Sequence, residues 1–307
     1  MTLTHQQLRR WATYASVSVA SILILGKLAA YLLTGSIAIL SSLVDSTVDL
    51  LASLVTMLGV ASAMKPPDRN HRFGHGKAEA LAALAQAAFI VGSCAILAYE
   101  AISRFYKPQP VENTVFGYWA TGLAIVLTIL LLAFQRYVVR KTGSMAIEAD
   151  RMHYVGDLLV NMVVTLTLVL QDVLQAAWLD PLFALGIAMV LSGNAWRVAK
   201  DALNVLMDRE LSDVDRDKLL ALVRQHPRVA GIHDLRTRSD GERAFVNFHL
   251  ELDGGTSLSE AFAITTEIRA MIQQQFTNAD VMIHLDPAGL EEMRGDALIE
   301  QASMRSV

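Results

Sequence analysis

The chain has 307 residues, 53% of them hydrophobic and 18% charged, with a mean hydropathy of +0.38 and a formal net charge of -4. Soluble domains carry about a quarter charged residues, so this chain is too apolar to be soluble throughout, and disorder, collagen-like repeats and a disulfide scaffold are excluded. One cysteine, Cys94, leaves no internal disulfide and no cysteine zinc cluster, and a pI near 6.1 argues against nucleic-acid binding. Residues 1–206 hold 15 Lys+Arg against 12 Asp+Glu, whereas residues 207–307 hold 11 against 18. The apolar runs all precede Leu206. This pattern predicts a membrane part, 1–206, followed by a small acidic cytoplasmic domain, 207–290, and a flexible tail, 291–307.

A spanning helix needs about 20 mainly apolar residues. Six stretches qualify: 12–34, 37–63, 78–105, 115–138, 147–171 and 179–204. The first follows Arg9 and Arg10 but is too long for a cleavable signal peptide. Basic residues set the orientation. Lys65, Arg69, Arg72 and Lys77 fill the loop after the second stretch, and Arg136, Arg140, Lys141 and Arg151 flank the loop after the fourth. The intervening loops carry little beyond Arg104 and Lys107. The reading is six spans with both termini in the cytoplasm.

The second stretch reads SSLVDSTVDLLAS. Asp45 and Asp49 are four apart and share a helical face, where two like charges need a proton, a basic group or a metal ion. Lys27 is the basic residue in the middle of a span. The fifth stretch repeats the spacing with His153 and Asp157, and Asn161 follows one turn on. Antiparallel helices can bring these faces together, and Asp45, Asp49, His153 and Asp157 form a nitrogen and oxygen set suited to a tetrahedral divalent ion such as zinc. Helix-packing hydrogen bonds suffice for a lone Asn161 or Gln86. Three carboxylates and an imidazole at matched spacing are too costly in hydrocarbon for that explanation, which leaves a proton relay as the competing reading.

The loop 65–77 reads KPPDRNHRFGHGK, in which Asp68, His71 and His75 can wrap one ion while Gly74 and Gly76 allow sharp turns. A solvated basic loop is the plainer alternative. Beyond Leu206 the spacing predicts a helix over 212–225 capped by Ser212, strands over 229–237 and 243–252, a helix over 257–275 capped by Ser257 with Glu260 closing the box, and a strand over 280–285. The order α-β-β-α-β predicts an α+β fold, an open sheet with helices on one face. His233, His249 and His284 fall on the strands and Asp286 ends the last one, which points to a further metal site; His226 and His5 read as surface residues.

SIAILSSLVDSTVDLLAS, HRFGHGKAEALAALAQ, ADRMHYVGDLLVN, LMDRELSD, HDLRTR and VMIHLDP together resemble the cation diffusion facilitator family, in its bacterial zinc and ferrous-iron efflux subgroup. The resemblance covers the chain except the N-terminal arm and the tail after about Pro287. It implies a transport site at Asp45, Asp49, His153 and Asp157, a loop site at Asp68, His71 and His75, and a cytoplasmic site at His233, His249, His284 and Asp286. It also implies a metallochaperone-like cytoplasmic domain, a homodimer in the bacterial inner membrane, and a charge pair of Lys77 and Asp208 at the membrane surface. The implied activity is export of Zn(II), with Cd(II), Fe(II) and Mn(II) as further candidates, in exchange for protons, without enzymatic catalysis or nucleic-acid binding. Relatives carry a histidine where Phe262 stands and tend to carry glutamine where Leu285 stands. Their two-ion cytoplasmic site is thereby expected to hold one ion here, near His233, His249 and Asp286. Two rivals are a membrane peptidase, for which HExxH is missing, and a metal sensor, which has no need of ligands inside the membrane.

Overall fold

The computed structural model describes residues 4–35, 37–106, 115–174 and 179–289. Residues 107–114 and 175–178 and the tail expected over 291–307 lie outside the described residues. The chain divides into two compact units, Met1–Leu203 and Asn204–Val307.

The first unit is helical: α1 (His5–Thr34), α2 (Ile37–Ala63), α3 (Lys77–Tyr106), α4 (Val115–Thr142), α5 (Met145–Leu174) and most of α6 (Leu179–Leu206). Thr4 and Gln7 close a capping box at the start of α1. Among the described residues, five helices meet the length and apolarity of a membrane span, within His5–Leu33, Ser42–Ala63, Lys77–Ser103, Gly122–Thr142 and Pro181–Leu206. α5 is as long as α1 and carries Glu148, Asp150, Arg151, His153 and Asp157 in the part whose side chains are described. Leu8 and Ala12 of α1, Val60 of α2, Ala82 of α3, Val138 of α4 and Ile147 of α5 form one apolar cluster. Ala87, Ile90 and Cys94 of α3 pack with Ala188, Leu191 and Ala195 of α6. Small residues dominate the second cluster, as expected where packing rather than water exclusion holds helices together.

Polar groups fasten the same helices. Arg9 of α1 lies 3.6 Å from Glu79 of α3 and donates to the Thr142 carbonyl at 3.1 Å, and the Ser144 hydroxyl donates to Glu79.

The second unit contains α7 (Asp213–Arg224), β1 (Gly231–Ser239), β2 (Ala244–Leu252), α8 (Leu258–Gln275) and β3 (Asp280–Pro287). Ser212 caps α7, and Ser257 with Glu260 forms the capping box of α8. The sheet order is β1-β2-β3; β1 pairs antiparallel with β2, and β2 pairs parallel with β3 through the α8 crossover. Alternation sorts β2: Val246, Phe248, Leu250 and Leu252 are buried with Leu219, Val223, Ile264, Ile268 and Ile272 from the helices. Asn247, His249 and Glu251 therefore occupy the opposite face.

Candidate metal centres

Within the first unit, Asp49 of α2 meets His153 and Asp157 of α5. His153 Nε2 lies 3.0 Å from Asp49 Oδ1 and 3.8 Å from Asp157 Oδ2. Tetrahedral bonds of about 2.0–2.2 Å require ligand atoms about 3.3–3.6 Å apart, so the three atoms are spaced for one shared cation. His153 is 5% exposed, while Asp49 and Asp157 are half-buried. Asp45 stands outside this cluster, exposed one turn before Asp49. Between two carboxylates on one face the Coulomb force is repulsive, which keeps Asp45 apart from Asp49. Asn161 donates to the Asp157 carbonyl at 2.8 Å, a bond within its own helix where a helix-packing bond was expected.

One turn before His153 lies Asp150, a residue the sequence reading passed over; it is 1% exposed. Its Oδ2 accepts from Ser16 Oγ of α1 at 2.5 Å and Gln135 Nε2 of α4 at 2.7 Å. Its Oδ1 accepts from Gln86 Nε2 of α3 at 3.2 Å and Ser53 Oγ of α2 at 3.3 Å. Ser53 also meets the Tyr154 hydroxyl at 2.9 Å. Five helices thus converge on one carboxylate beside the candidate site. Gln86 also donates to the Ala52 carbonyl at 2.8 Å and to Thr56 Oγ1 at 2.7 Å, both on α2, the helix-packing hydrogen bonds expected of it.

The loop between α2 and α3 brings Asp68, His71 and His75 together. Asp68 Oδ1 accepts from the backbone N–H groups of Asn70 at 2.8 Å and His71 at 2.7 Å, which folds the loop back. Gly74, with φ +88°, makes the following turn. His71 Nδ1 and His75 Nε2 lie 3.5 Å and 3.3 Å from the two Asp68 oxygens, and the rings are 4.5 Å apart. The His71 backbone bond, followed by that of Asn70 and the two imidazoles, holds the Asp68 carboxyl below the usual carboxylate range. Asp68 and His71 are exposed, so the cluster is open to water.

In the second unit the open sheet face carries the third cluster. The register aligns His233, His249 and His284 in one row across β1, β2 and β3, and Gly231, Glu251 and Asp286 in the next row. A β-bulge after His233, with Asp234 at φ +51°, inserts one residue. It keeps His233 on the open face while Leu235 and Thr237 turn into the core. Asp286 Oδ2 lies 2.7 Å from His249 Nδ1 and 3.5 Å from His233 Nε2. His284 is exposed and stacks on His249 with centroids 4.9 Å apart, outside the three-residue cluster. Glu251 was missed in the sequence: its Oε1 is 2.9 Å from His233 Nδ1, off line for a hydrogen bond. A Cβ at Gly231 would fall 2.5 Å from Glu251 Oε2, so a larger residue there would make that carboxylate shift. Phe262 and Leu285 are 68% and 39% exposed. His226, read as a surface residue, is instead buried against Glu267 at 3.1 Å.

Residues 13–207 match the family profile described as the cation efflux transmembrane domain, and residues 211–288 match the cation efflux protein cytoplasmic domain. The chain belongs to the cation efflux family. A Shewanella oneidensis protein named cation-efflux pump FieF is 43% identical over 280 residues, covering 91% of this chain and 94% of its own. A Salmonella choleraesuis protein of the same name is 40% identical over 297 residues, covering 96% and 98%. A solved structure described as the metal-bound C-terminal domain of the CzcD transporter from Thermotoga maritima is 28% identical and covers 27% of this chain and all of its own. Its TM-score of 0.25 is too low to carry a structural argument. Membership makes this chain a membrane-spanning cation efflux transporter, from a family of transporters rather than enzymes.

Proposed function

We propose that the chain exports divalent transition-metal ions, Zn(II) foremost and Cd(II), Fe(II) and Mn(II) after it, from the cytoplasm of a bacterium in exchange for protons. The observation that carries this reading is the Asp49–His153–Asp157 cluster formed between two apolar-flanked helices. Asp45, one turn away, joins as the fourth ligand when an ion is loaded. Carboxylate and imidazole atoms that ligate an ion must shed their protons, so loading metal releases protons and the reverse. Rocking of the helices then carries the occupied site from one face to the other. His153 contributes the borderline ligand that favours zinc over hard cations such as magnesium.

Asp68, His71 and His75 gather ions at the cytoplasmic mouth. His233, His249 and Asp286, with His284 beside them, hold a structural zinc in a domain that pairs two protomers, and Lys77 with Asp208 braces the dimer at the membrane surface. Both termini lie in the cytoplasm. The test is a pH-sensitive dye trapped in vesicles that hold the purified protein. Added zinc must drive metal one way and protons the other. Zinc flux without any pH change would overturn the exchange; no flux at all would overturn transport.

A further inference from the structure

Lys27 of α1 has no part in the reading above. It lies seven residues before the last residue of its helix. Its Nζ donates to the Ser42 carbonyl oxygen at 3.1 Å and to the Ser46 hydroxyl at 2.6 Å. Ser42 and Ser46 occupy the turns of α2 that carry Asp45 and Asp49. The ammonium is therefore fastened to the ligand-bearing helix rather than turned out toward its own helix end. Asp49, Asp45 and Asp157 are its coulombic neighbours. A cation inside a span is costly, so its presence asks for a charge-based reason.

The sign of the charge supplies one. Asp45, Asp49 and Asp157 are the site's carboxylates, and Lys27 is the positive group beside them, so its field opposes that of any cation they hold. We propose that Lys27 is a fixed counter-charge of the transport site: it keeps the site's hold on a divalent cargo loose enough for release. This rests on the transport reading above. Lys27 touches no ion; it acts through the field at the ligands. A unit charge acting on a divalent ion through an effective dielectric constant of about 20 shifts its binding about a hundredfold at a separation of about 12 Å, and at least about tenfold out to about twice that distance.

The sign of the effect separates this role from packing. Damage to packing loosens metal binding, whereas removal of a nearby positive charge tightens it, equally for every divalent ion. Lys27→Gln keeps a hydrogen-bond donor without the charge, Lys27→Met keeps most of the volume, and Lys27→Arg keeps the charge. Zinc and manganese isotherms of the full-length protein are taken at about pH 8, where protons compete least. Each variant is read against the same variant carrying Asp49→Ala, so that the transport-site ion alone counts. We expect zinc to bind tenfold tighter or more in the neutral variants, with manganese tightened by the same factor. Turnover at saturating zinc should fall, and Lys27→Arg should resemble the parent. Zinc binding that is unchanged or weaker in a folded neutral variant, or a shifted zinc-to-manganese ratio, overturns the counter-charge while parental flux leaves the transport reading standing. A parent without zinc flux overturns both.

Discussion

Replacing Asp150 tests whether the membrane unit depends on its polar centre as strongly as the geometry says. Four helices each send one donor to this carboxylate, from Ser16, Ser53, Gln86 and Gln135. Interhelical hydrogen bonds in membrane proteins average about 0.6 kcal/mol, and bonds to an ionised acceptor are about twice as strong. Four such bonds would give about 5 kcal/mol. Two of them are long, at 3.2 and 3.3 Å, and count for less. Asp150→Ala should therefore destabilise the unit by about 3–4 kcal/mol. Asp150→Asn should cost about half of that, because the serine hydroxyls can rotate to accept. The Oε1 atoms of Gln86 and Gln135, which lack a hydrogen-bond partner, can also turn in as acceptors when the amides flip. The assay is SDS-driven unfolding in mixed micelles, followed by tryptophan fluorescence. A loss under about 1 kcal/mol for the alanine variant, or an asparagine variant as unstable as the alanine one, would refute the hub.

The other expectations concern the sites one by one. Asp49→Ala and Asp157→Ala should each abolish zinc flux in vesicles while the protein elutes as a folded species, since no neighbour replaces an intramembrane carboxylate; near-normal flux would sink the transport site. His71→Ala combined with His75→Ala should change apparent zinc affinity or rate several-fold without removing transport, because Asp68 stays in the mouth, and complete loss would mean the loop is part of the path. The cytoplasmic domain should hold about one zinc per protomer, a number argued from the ligands left once Phe262 and Leu285 replace donors, and titration calorimetry showing two tight ions would contradict it. Glu260 is held below the ordinary carboxylate range, first by the Ser257 backbone N–H and then by its hydroxyl. Its depressed pKa stabilises the folded domain above the unfolded value of about 4.3 and that gain is lost as the pH falls further. Glu260→Gln should flatten the fall in melting temperature between about pH 5 and 3, and an unchanged slope would exclude the cap as its source.

The elements of the second unit were legible because period and caps agree. A helix expected over 257–275 runs Leu258–Gln275, and a strand expected over 243–252 runs Ala244–Leu252. The first strand was placed early, at 229–237, against Gly231–Ser239 observed. Its bulge at Asp234 breaks the two-residue alternation, so pattern reading could not say that His233 and Leu235 point to opposite faces. The matched spacing of Asp49 with His153 and Asp157 was legible because each pair lies on one helix face. Asp150 was not, since a carboxylate between Glu148 and Arg151 near the end of a span looks like an ordinary charged flank. Only the tertiary fold shows that its four donors come from four other helices. Glu251 was hidden for a similar reason: its role depends on an opposed glycine on another strand.

Three clusters built from the same aspartate and histidine chemistry are thus set apart by their surroundings. Asp68 and His71 stand in water, where a cation gains little from each charge and exchanges quickly. Under the proposed reading that suits collection rather than storage. His233, His249 and Asp286 sit half-buried on three strands of one sheet, positions that barely move relative to one another, which suits an ion that stays. The membrane cluster has the strongest field and would hold a divalent ion too firmly for turnover if all its carboxylates acted unopposed. A transporter must bind its cargo on one side and lose it on the other, so affinity beyond what loading needs only slows release. Under the proposed reading, the counter-charge at Lys27 and the exchange with protons act against the same excess, one permanently and one with each cycle. Asp150 keeps α5 anchored to four other helices beside these ligands, so the helix that carries His153 and Asp157 moves as part of a bundle and not alone.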